Sequence, residues 1–135
     1  MRRMILAAVV GFVVQLAGLF LIHSVLLRQD YVDTAAVWRP REAQVMRVWA
    51  MLLAVLIYVV GAVLIYLRGV EQKPWMGQGI RFGILLALVA VVYGSLSGWV
   101  ILPILHMFAV KWIVSESLLS VVFGLAVAGR LIVRV

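Results

Sequence analysis

The side chains of this sequence able to do chemistry are few, and Glu116 is the sharpest of them because it lies inside an apolar stretch. A carboxylate in a low-dielectric setting needs a partner or a raised proton affinity. Three basic side chains come into range: His23, Lys111 and His106. Lys111 stands five residues before Glu116, so their alignment on one helix is imperfect. A pair between His23 and Glu116 would be a latch between the first and last apolar runs, and it requires those runs to be neighbours. The same pair, with Glu116 titrating, would make a proton or ion site. His23 and His106 carry a further expectation, since axial imidazoles hold haem or a chlorophyll-type magnesium in membrane helices. Nothing in the sequence requires a cofactor.

A second polar layer is expected at the centres of the apolar runs, formed by Gln15, Tyr58, Tyr93 and Ser120. His23 and Glu116 stand roughly six to eight residues, or ~9 to 12 Å, nearer one face. Amides and hydroxyls at such depth are expected to hydrogen-bond between helices for ~0.6 to 2 kcal/mol each. The functional alternative is a small polar pocket at membrane depth. Catalysis finds less support. The chain has no nucleophile elbow, no phosphate-binding glycine loop, no His-Glu-x-x-His and no paired carboxylates on one helix. Ser115, Glu116 and Ser117 are adjacent, so they point in different directions and form no triad. With no cysteine there is no disulfide, thiolate metal site or thiol nucleophile. The chain is read as a non-enzyme.

The elements that position these residues follow from composition. Of 135 residues, 67% are hydrophobic and 13% charged, far from a soluble globular chain. The mean hydropathy of +1.20 agrees. Four runs, about 4–27, 48–67, 80–105 and 110–133, each approach the ~20 residues that cross a hydrocarbon core of ~30 Å. The expected fold is an all-α integral membrane bundle of four transmembrane helices, with residues 1–135 as one transmembrane domain. The first run begins Met1-Arg2-Arg3 but is long for a secretory signal, and no small-x-small site follows His23 and Ser24, so it is read as a retained helix.

The net charge of +7 flanks the apolar runs instead of lining one surface. Anionic lipid headgroups, not nucleic acid, are the partners this implies. With a cytoplasmic N-terminus, Arg2, Arg3, Arg68, Lys73, Arg81, Arg130 and Arg134 lie inside, and Arg28, Arg39, Arg41, Arg47 and Lys111 lie outside. That bias places both termini in the cytoplasm. A short amphipathic helix on the membrane surface is possible near 42–47 in the first link.

Packing is expected to be organised by the third run. Gly79, Gly83, Ala87, Ala90, Gly94 and Ser97 fall on one side of a helix of 3.6 residues per turn. Small residues spaced by four let backbones approach, which drives helix association in lipid. This helix is therefore placed at the centre of the bundle. Gly11 and Gly18 form a second seam beside Gln15, and Gly124 with Ala128 a third that is free for a partner.

The stretch Lys73-Pro74-Trp75-Met76-Gly77-Gln78-Gly79-Ile80-Arg81-Phe82-Gly83, with Asp30-Tyr31 and Trp38-Arg39-Pro40, resembles a family of small four-helix bacterial inner-membrane proteins without an assigned function. The resemblance covers most of the chain. It implies four spanning helices and a bacterial inner-membrane location, and it transfers no catalytic residue. Three functions are then expected, in order. The first is a non-catalytic accessory or scaffolding subunit of a larger membrane complex, or a homo-oligomer. The second is a small proton- or ion-linked transporter using Glu116 and His23. The third is a haem- or chlorophyll-binding subunit.

Overall fold

A computed structural model describes residues 1–131, so Arg134 and the end of the fourth predicted run lie outside the described residues. The fold is all-α, with no strand among the described residues. Helix α1 spans Arg2–Leu26. Short helices α2 (Arg28–Asp33) and α3 (Arg41–Val45) occupy the first link. Helices α4 (Val48–Gly69), α5 (Trp75–Ile101) and α6 (His106–Arg130) complete the bundle. Together with α1 they are, among the described residues, the four helices long and apolar enough to cross a membrane. Helices suit that setting because each satisfies its own backbone polar groups.

Prolines set two boundaries. The third helix begins at Trp75, earlier than the apolar run suggests, directly after Pro74. It ends at Ile101 because Leu102 precedes Pro103 and takes extended backbone, φ −96° and ψ 134°. The α4–α5 link is held by Gln78, whose side chain bonds the Glu71 N–H at 2.8 Å and donates to the carbonyls of Glu71 and Lys73 at 2.8 and 2.7 Å.

The centre of the bundle is α6, not the third helix. α6 packs closely against both α5 and α1, whereas α4 leans mainly on α1. Small residues make both α6 contacts. A Cβ built on Gly83 would lie 2.5 Å from Val121 Cα and 2.6 Å from Ser120 O, and one on Gly79 would lie 2.9 Å from Gly124 O. On the other side, a Cβ on Gly11 would meet the Phe123 ring at 2.8 Å, and one on Gly18 would overlap Leu119. Gly124 and Ala128 are thus buried inside the fold against Gly79 and Gly83, and are not a free seam.

The expected small face of the third helix is only half used. Gly79, Gly83 and Ala87 are buried, but Ala90 and Gly94 are exposed, and Val91 and Ser95 take their place inside. The cause is a wide turn over Ala87–Val92. Steps of four residues drift by about 40° each on an α-helix. A wide turn takes in one extra residue and takes back about 100° of that drift. The face that meets α6 therefore continues as 79, 83, 87, 91, 95.

In detergent unfolding measurements, Gly83→Ala should lower stability by about 1 to 3 kcal/mol, because its Cβ meets backbone that cannot swing away. Gly94→Ala, in open space, should not lower it.

Candidate functional site

The polar residues gather at the end of the bundle where the first link meets the start of α6. Antiparallel packing of α1 on α6 matches Gly11 with Phe123, Gly18 with Leu119, and then His23 with Glu116. His23 sits in a second wide turn, Ile22–Leu26, closed by a bond from Leu27 N–H to Ile22 O at 2.8 Å. Beyond it Leu27 is fully buried, and α2 folds back over the head of α6.

His23 Nε2 lies 2.7 Å from Glu116 Oε1, and His23 Nδ1 lies 2.7 Å from the Tyr31 hydroxyl. Trp112 Nε1 donates to the same Glu116 oxygen at 2.8 Å. The imidazole thus bridges a phenol and a carboxylate. With Glu116 ionised, neutral His23 donates from Nε2 and accepts from Tyr31 at Nδ1. With Glu116 protonated, both bonds reverse and remain satisfied. The chain Tyr31–His23–Glu116 therefore stays hydrogen-bonded with Glu116 in either form. Side-chain exposures of 26% for His23 and 18% for Glu116 leave the pair partly open at the surface of the chain.

Aromatic side chains wall this pair. The Trp112 ring stands edge-on to His23 at 5.6 Å, and Phe108 stacks on Trp112 at 5.7 Å. Tyr31 packs edge-on against Trp38 at 5.0 Å and Phe108 at 5.1 Å. Trp38 is fixed in turn, donating from Nε1 to Thr34 Oγ1 at 2.9 Å. Burial, and secondarily the Glu116 charge, push the Tyr31 phenol well above the usual tyrosine range, so it stays protonated.

The other expected partners go elsewhere. Lys111 does not bond Glu116: it binds both carboxylate oxygens of Asp30 at 3.0 Å, tying α2 to α6. His106 is exposed and accepts from Trp99 Nε1 at 3.1 Å. It lies ten residues before Glu116, roughly 15 Å along α6. His23 and His106 therefore do not face a common ring, and both nitrogens of His23 are already bonded. The midplane layer is partial. Tyr58 packs by Phe123 at 5.7 Å and lies close to Ser120, whose Oγ donates to the Glu116 carbonyl at 3.0 Å. Gln15 belongs to the α1–α6 seam, and its Oε1 is enclosed with no hydrogen-bond partner. Tyr93 is 74% exposed and belongs to no layer.

Tyr31, Trp112 and Asp30 are the site residues that the sequence reading missed. Trp112 carried a readable signal, standing four residues before Glu116 on the same helical face. Tyr31 did not, because its approach to His23 depends on the wide turn between them. No protein family, curated protein or solved structure matches this chain.

Glu116→Ala should cost about 1 to 3 kcal/mol in detergent unfolding by stranding the His23 and Trp112 donors. Glu116→Gln, which keeps an acceptor oxygen, should cost less. Folded protein also keeps the Tyr31 proton at a pH where an unfolded chain, with tyrosine near 10, releases it. Stability should thus fall as pH rises above about 10, and Tyr31→Phe should flatten that fall.

Proposed function

We propose that this chain is a non-catalytic membrane subunit that scaffolds a larger membrane assembly or associates with copies of itself. The observation that carries this reading is the uncovered half of α5. A Cβ at Gly94 or Gly98 would meet nothing within 4 Å, and Ala90 is exposed beside them. Lipid tails are as apolar as leucine, so such a face gains little from lipid and more from a second helix. Gly79 and Gly83 already use this chemistry inside the fold. The resemblance noted above and the excess of basic residues at the end holding the N-terminus and the α4–α5 link support a bacterial inner membrane with that end cytoplasmic.

A second reading rests on the chain Tyr31–His23–Glu116: a small proton-linked carrier in which Glu116 is the titrating group. Mild-detergent purification from native membranes separates the two. The subunit reading expects salt-stable recovery of other membrane proteins or of a differently tagged copy. Gly94→Leu should reduce that recovery about tenfold without lowering the stability of the chain itself. A solitary chain showing proton flux in liposomes that vanishes on Glu116→Gln would overturn the subunit reading in favour of the carrier.

A further inference from the structure

The bundle has an open side that the subunit reading does not use. Because α4 leans mainly on α1, the two leave a groove of about 350 Å³ between them, lined almost wholly by apolar side chains. Its rims are Ile5, Val9 and Val13 of α1 and Leu56, Val60 and Leu64 of α4, all of them exposed. The rim from Ile5 to Val13 is about 12 Å long, close to the ~15 Å of hydrocarbon in one leaflet. Its length and volume suit a flexible chain lying along the helices.

Charge at one end of the groove specifies the occupant. Arg2 continues the α1 rim, since 2, 5, 9 and 13 share one helical face, and Arg68 continues the α4 rim through 60 and 64. α1 and α4 are successive membrane-spanning helices and antiparallel, so Arg2, at the start of α1, and Arg68, at the end of α4, lie at the same end of the groove. Both are exposed, and neither has a carboxylate partner among the described residues. The acid nearest in the chain, Glu71, is paired with Lys73. Guanidinium groups present planar donors that fit a phosphate.

We propose that this groove holds an acyl chain of an anionic phospholipid, with the lipid phosphate bound by Arg2 and Arg68. Basic pockets between membrane helices select anionic headgroups in this way. A neutral lipid could fill the apolar part but would gain less at the mouth. A second copy of the chain would bring its own arginines to that mouth and meet repulsion.

The test is native mass spectrometry of the full chain, purified in mild detergent and equilibrated with equal amounts of phosphatidylglycerol and phosphatidylcholine. Wild type should retain phosphatidylglycerol about tenfold over phosphatidylcholine. Arg2→Ala with Arg68→Ala should bring the two lipids to parity, and Val9→Trp, which fills the groove, should reduce both. Both arginines are on the surface, so the double variant tests the proposal even if Val9→Trp fails to fold. Equal retention of the two lipids by wild type would overturn the proposal. So would a preference that survives loss of both arginines, or a lipid-free dimer.

Discussion

The structure depends on how closely the backbone of α6 can be approached. In a bilayer, moving a leucine from lipid to protein gains almost nothing, so helices stay together where their main chains come near enough for dense packing. α6 is gripped this way from two directions. Gly124 lies against the main chain of Gly79 and Gly83, and Gly11 and Gly18 receive Phe123 and Leu119. Helix α4 has no such grip on α6. It contributes Val55, Val59 and Val63 to the apolar core and leans on α1.

The polar end of the molecule follows from the α1–α6 contact. Once Gly18 lies over Leu119, the next turn of α1 brings His23 beside Glu116, and the wide turn at Ile22–Leu26 frees α2 to close over the pair. Asp30 then meets Lys111, so the link is tied to α6 by an ion pair outside the pair it covers. A carboxylate placed in this setting without Trp112 and His23 would be costly. With them, one carboxylate oxygen of Glu116 accepts two hydrogen bonds and both ring nitrogens of His23 are bonded.

Much of this was legible in the residues. The four apolar runs gave the four long helices, since length and hydropathy suffice for that. The rarity of carboxylates and histidines at depth singled out His23 and Glu116. The limits were also physical. Regular 3.6-residue counting placed Ala90 and Gly94 on the buried face, and a single wide turn moved Val91 and Ser95 there instead. Spacing along the chain offered Lys111 to Glu116, whereas the fold offered it Asp30 from a link whose path no periodicity encodes. The glycine ridge showed which helices make close contacts, but the partner at the hub was decided by Gly124, a residue equally suited to an outside seam.

The most direct test of this arrangement is solution NMR of the chain in detergent micelles, reading proton–proton contacts between glycine backbones. The account predicts contacts from the Gly83 and Gly79 α-protons to Gly124, with none from Gly94 to α6. Contacts from Gly94 to another helix of the same chain, with Gly79 and Gly83 showing none to Gly124, would contradict it.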